Sequence, residues 1–162
     1  MATTRAKKYL ALDVGEVRIG LAIGEEGSSF VFGRGYITRA TRTKTSKTTK
    51  LAEDIALIKE KVLDCSADIV VLGLPLRQDG EDSQQTKNVR EFAKALQQAF
   101  EIDNDVDGVE IVFQDERYSS KVAEQHLRSS GLSKKNRREK GLVDEAAAKL
   151  ILESYLKIEP LF

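Results

Sequence analysis

At 162 residues the chain has the length of one domain, enough to bury a core and too little for two substantial lobes, which excludes the larger two-lobed enzymes. Its 26 Lys and Arg balance 26 Asp and Glu, so no global field draws it to nucleic acid or to a membrane surface, and any such attraction must come from local segregation of charge. With 41% hydrophobic and 32% charged residues it is a globule rather than a disordered chain, and its single cysteine, Cys65, cannot close an intrachain disulfide and reads as a small core residue.

Residues 1–8 are basic but lead only into a short apolar run, with no stretch suited to a signal peptide or a membrane span; they are expected to form a loose tail on a cytoplasmic protein. Residues 9–14 and 17–23 are two apolar runs separated by Gly15-Glu16, a hairpin signal, and a third strand fits 30–37 after the turn-forming 25–29. Residues 38–50, rich in Thr and Lys, predict a loop. From Leu51 the period changes: Leu51, Ile55, Ile58 and Val62 fall at helical spacing between charged residues. A buried strand at 69–72 is expected to stop at Gly73 and Pro75. Asp82 and Ser83 then offer a cap for a helix to Phe100, whose stripe is Val89, Phe92, Ala93, Leu96 and Phe100.

The acidic stretch 101–108 reads as a surface loop, 109–113 as a strand, 119–129 as a helix and 142–156 as a last helix. The order β-β-β-α-β-α-β-α-α implies an α/β fold with a mixed five-stranded sheet: an antiparallel meander followed by strands added through crossover helices.

Three acidic positions stand out by where they fall. Asp13 ends the first strand where the chain leaves the sheet, and Asp115 and Glu116 close the last one. In the final helix Val143, Ala147, Leu150, Ile151 and Ser154 share a face; Asp144 lies beside it with Ala148 and Ile151 below, whereas Glu145 is expected to point outward toward Lys149. Two strand-end carboxylates and one helix-start carboxylate, brought together, repel one another and need cations. Oxygen ligands without a Cys/His set suit Mg²⁺ or Mn²⁺ rather than Zn²⁺. The one histidine, His126, has no nucleophile-elbow motif to work with, and there is neither a P-loop nor a complete dinucleotide fingerprint. Basic residues gather in two places. One run holds Arg39, Arg42, Lys44 and Lys47; the other, Lys134, Lys135, Arg137 and Arg138, precedes the helix bearing Asp144. Flexible Lys/Arg segments beside an anionic metal site fit phosphodiester chemistry on nucleic acid.

Four stretches in order, Asp13-Val-Gly-Glu-Val-Arg-Ile-Gly20, Gly73-Leu-Pro-Leu-Arg-Gln-Asp-Gly80, Asp115-Glu-Arg-Tyr-Ser-Ser120 and Val143-Asp-Glu-Ala-Ala147, resemble the YqgF/RuvX family. The resemblance implies a ribonuclease H-like fold in one nuclease domain, residues 9–158, and a metal-dependent endonuclease acting on structured nucleic acid, either the precursor of 16S ribosomal RNA or branched DNA such as a Holliday junction. It places the catalytic and metal-binding acids on Asp13, Glu116 and Asp144, with Asp115 and Arg117 alongside. Arg18 and the 73–80 loop, with Arg77, then line the substrate groove. The chain departs from the family where Glu16 or Val17 replaces a common Lys, and where Glu145 stands in place of Lys or Ser. A monomer or weak homodimer is expected. The competing expectation is a non-catalytic nucleic-acid-binding or ribosome-assembly module on the same fold; carboxylates at the centre of a phosphate-binding surface argue against it. A sugar-kinase or actin type of ATPase shares the strand-Asp-x-Gly opening but needs two lobes and far more chain.

Overall fold

The first strands form because their apolar residues run without helical period between tight turns. β1 (Lys8–Val14) and β2 (Arg18–Glu25) make the expected hairpin, and β3 (Val31–Thr38) continues the meander. The structure is a computed structural model and describes residues 4–39, 47–116 and 141–157. α1 (Lys47–Cys65) leads to β4 (Ile69–Leu74), α2 (Gln84–Glu101) to β5 (Glu110–Asp115), and α3 (Leu142–Leu156) closes the described chain. The sheet order is β3-β2-β1-β4-β5, antiparallel through the meander and parallel from β1 onward. This is the mixed five-stranded sheet the sequence implies. The expected helix at 119–129 lies outside the described residues.

Strand alternation sorts the side chains onto two faces of unequal character. Leu10, Leu12, Ile19, Leu21, Val70 and Leu72 pack with Ile58 and Val62 of α1 and Phe92 and Leu96 of α2. The opposite face carries smaller residues, Ala11 and Ala22 among them, and packs on Ala148, Ile151 and Leu152 of α3. Two helices fill the bulky face, and one helix lies close against the small one. Ser83 caps α2 as its sequence suggests, in a reciprocal pair with Thr86.

Several boundaries differ from the sequence expectation. Gly73 does not stop β4, because Gly73 and Leu74 stay paired with Gln114 and Asp115 of β5. α1 begins at Lys47, inside the Thr/Lys-rich stretch read as a loop. The stretch 101–108 is more than a surface loop: Asn104–Val106 forms a 3₁₀ turn that buries Val106 in the main core. The start of the chain is tied down at its inner end, where Arg5 forms a forked bond to Asp68 at 2.7 and 3.0 Å and the Lys8 N–H donates to the same carboxylate. Val143, expected on the buried face of α3, is 41% exposed. At 3.6 residues per turn it lies roughly 100° round the helix from Asp144, and the inward direction is set by Ala148 and Ile151 below Asp144. Among the described residues no helix is long and apolar enough to cross a membrane.

Candidate active site at the carboxyl ends of the central strands

Asp13 shares the α3 face with Tyr9 and Ala11 by alternation along β1, and its partner across the hairpin is Gly20 of β2. A Cβ at Gly20 would run into the main-chain carbonyl of Asp144. The missing side chain therefore lets the first turn of α3 rest directly on β2, and that contact brings Asp144 to Asp13. The Asp13 carboxyl is pushed up to about 7, first by burial and then by the negative charge of Asp144. Asp144 accepts a hydrogen bond from Arg18 Nε at 2.8 Å, a partly exposed ion pair that raises the guanidinium further.

On β5 the Glu116 N–H donates to the Leu74 carbonyl at 3.1 Å, so the extended pairing carries on past Asp115. By alternation with Val112 and Gln114, Glu116 faces α3. A Cβ at Gly73 would run into Ile151 Cδ1 of α3 and lie 2.8 Å from both Cδ and Oε2 of Glu116, so Ile151 and the Glu116 carboxylate share the room that Gly73 leaves. Asp115 is exposed. Alternation thus separates the two adjacent acids as strand geometry requires, and Glu116 is the one on the side of Asp13 and Asp144. We expect Glu116→Ala to cost at least about tenfold more activity than Asp115→Ala in cleavage assays of the purified variants, the reverse order reassigning the site.

Glu145 corrects the sequence expectation. It does not pair outward with Lys149 but packs over Gly33 and accepts from the Gly35 N–H, because the glycines of β3 leave a gap that this side chain fills. Arg39 does not stand in an open basic loop: its side chain is 22% exposed, and its guanidinium donates to Asp54 and to the Gly15 carbonyl. Arg77 is exposed beside Asp79 on the loop after β4. The side chains of Arg42, Lys44, Lys47, Arg117, Lys134, Lys135, Arg137 and Arg138 lie outside the described residues, as does His126. Gly20 and Gly73 stand in the motifs that carry the resemblance, but sequence reasoning missed what they do: make room for the first turn of α3 and for Glu116. The available signal was a glycine at the α3-facing parity of each strand beside a suspected acid.

The donor set fits a hard divalent cation in two respects. Asp13 is half-buried, and burial first and the charge of Asp144 second push its carboxyl up, so its ionised form calls for positive charge at the site; the Gly73 cradle gives Glu116 room on the same face. Among the described residues no three His, Cys, Asp or Glu side chains are drawn together closely enough to hold one ion, and the charge facing Asp144 comes from Arg18.

The sequence profile of a family described as "RuvX: Holliday junction resolvase" matches residues 7–158. The chain is 40% identical over 146 residues to a Thermus thermophilus protein named "Putative pre-16S rRNA nuclease", covering 90% of this chain and 94% of that one. It is 38% identical over 150 residues to a protein of the same name from Anaeromyxobacter dehalogenans, covering 92% and 96%. In fold it is similar to T. thermophilus RuvC in complex with a Holliday junction substrate, with a TM-score of 0.57 at 14% identity over 92% of this chain and 94% of that one. It is also similar to the yeast mitochondrial Holliday junction resolvase Ydc2, with a TM-score of 0.60 at 10% identity over 94% and 79%.

Proposed function

The chain belongs to the RuvX family, and from that premise we propose that it is a nuclease that hydrolyses phosphodiester bonds of structured nucleic acid, with Asp13, Glu116 and Asp144 as its acidic site. The observation that carries the reading is the docking of the first turn of α3 on Gly20, the cross-strand partner of Asp13, which sets two carboxylates from distant parts of the chain beside each other; burial first and the charge of Asp144 second push the Asp13 carboxyl up to about 7. A structural role needs no such repulsion. These acids would hold Mg²⁺ or Mn²⁺, which when bound supplies Lewis-acid polarisation of the phosphate and an activated water. Arg18 lies beside Asp144, where its guanidinium is at hand for phosphate oxygens, and Arg77 stands on the loop that follows β4. Of the two substrates, the names of the relatives favour the precursor of 16S ribosomal RNA. The fold likeness leaves branched DNA as the second reading. The protein acts in the cytoplasm as a monomer or weak homodimer.

The test is cleavage of end-labelled precursor RNA and of a four-way DNA junction by purified protein, with Mg²⁺ and Mn²⁺ titrated. Cuts at discrete positions that require the cation support the reading. Intact binding with no cut at any metal concentration overturns it in favour of the binding module.

The basic segments separate binding from chemistry. Neutralising Arg42, Lys44 and Lys47 should weaken binding irrespective of sequence and reduce the log-log salt slope by about 0.7 to 0.9 per lost phosphate contact. The maximal rate at saturating substrate should stay near wild type, because such a contact is made equally in ground and transition states. Filter binding across a salt series checks the first expectation, and single-turnover cleavage checks the second.

A further inference from the structure

The β1–β2 turn carries Asp13 at one end and Arg18 at the other, yet it has little packing of its own: Glu16 is exposed and Val17 is 58% exposed. The turn closes on its own Gly15 N–H, which donates to the Arg18 carbonyl at 2.9 Å, and what fastens it to the rest of the protein is a set of hydrogen bonds from the side of the sheet opposite α3. Gln85 Nε2, in the first turn of α2, donates to the Val14 carbonyl at 2.9 Å. Arg39 Nη1 donates to the Gly15 carbonyl at 2.8 Å, and the Arg39 N–H donates to the Val17 carbonyl at 2.8 Å. The same guanidinium is anchored by Nε on Asp54 Oδ2 at 2.8 Å and lies 5.3 Å from the ring centre of Phe92. Asp54 belongs to α1 and its side chain is only 3% exposed. A buried ion pair is seldom the most stabilising way to fill such a space, since apolar residues of similar volume often do as well or better. Apolar side chains, however, would offer no donor to a turn carbonyl. We propose that Arg39 and Gln85 are positioning residues that fasten the β1–β2 turn to α1 and α2 and so hold Asp13 and Arg18 in register with Asp144. The inference rests on the nuclease reading only for its activity readout.

Two variants keep the fold intact while loosening the turn. Arg39→Lys retains a charge for Asp54 but lacks the planar fork that reaches Asp54 and the Gly15 carbonyl together. Gln85→Leu removes the bond to Val14 alone. In each, amide hydrogen exchange at Gly15 and residue 39 should accelerate by about tenfold or more, while the amides of β4 keep their protection. With precursor RNA and Mg²⁺, kcat should fall about tenfold and KM change by less than about twofold. Unchanged exchange at both amides overturns the proposal, as does faster exchange with wild-type kcat. A raised KM with unchanged kcat in Arg39→Lys would make Arg39 a substrate contact instead, and also overturns it. A wild-type protein that cuts neither substrate defeats the nuclease reading; the clamp is then decided by the exchange data alone.

Discussion

Asp13→Asn is expected to abolish metal-dependent cleavage and, without metal, to make the protein more stable. The amide keeps the shape of the side chain but removes the charge that a cation would neutralise, so the rate should fall by roughly a thousandfold or more, the equivalent of about 4 kcal/mol of barrier. The stability effect follows from the Asp13 carboxyl being held up to about 7 in the folded chain, by burial and by Asp144. Unfolded, the same group ionises near pH 4. Its contribution to stability is therefore fully present below about pH 4 and is lost as pH rises through about 7, because across that window only the unfolded chain releases the proton. Three units of displacement correspond to about 4 kcal/mol at the upper limit. Above pH 7 in chelator, wild type should thus melt below Asp13→Asn, and at pH 4 the two should coincide. Added Mg²⁺ or Mn²⁺ should raise the wild-type melting temperature and leave the variant nearly unmoved. Melts across pH with and without EDTA check all three points; destabilisation by Asp13→Asn at pH 8 would make Asp13 a structural residue.

Gly20→Ala is expected to be strongly damaging for a change of a single methyl. The new Cβ would fall on the main-chain carbonyl of Asp144, and main chain cannot rotate away as a side-chain tip can. α3 must lift from β2, giving up packing of Ala148, Ile151 and Leu152 and carrying Asp144 away from Asp13. Overpacking of this kind costs about 3 kcal/mol at the upper end of the usual range, or roughly 6 to 12 °C in melting temperature for a chain of this length. Gly24→Ala supplies the comparison on the same strand face. Its Cβ would meet Leu152 Cδ2 at 3.1 Å and Leu156 Cδ1 at 3.2 Å, flexible ends that can yield, and Val31 Cγ2 at an ordinary 3.5 Å. A loss of no more than about 1 kcal/mol is expected there. Urea denaturation of both variants gives the comparison; equal costs would mean that α3 does not depend on Gly20.

What the sequence by itself determined was whatever rests on local pattern. The hairpin at Gly15-Glu16, the Ser83 cap and the span of the last helix were legible because period, turn chemistry and capping act between residues close along the chain. The placement of Asp13 at a strand end and of Asp144 on the inward side of its helix was legible for the same reason, and alternation alone set Asp115 and Glu116 on opposite sides. Only the tertiary structure decided what each of these groups meets. Arg39 stood in a basic run that looked like a phosphate-binding loop, yet Asp54, Gly15 and Phe92 converge on it from three elements. Glu145 looked like half of a surface pair with Lys149, but glycines on β3 opened a gap for it. Gly73 looked like a strand stop and proved to be a strand position whose bare α-carbon makes room for Glu116. In each case the deciding partner lies many residues away and is brought in by sheet order and helix docking. A local pattern records which face a side chain occupies; the depth of a gap, the charge across it and the carbonyl at its end exist only once the layers have packed.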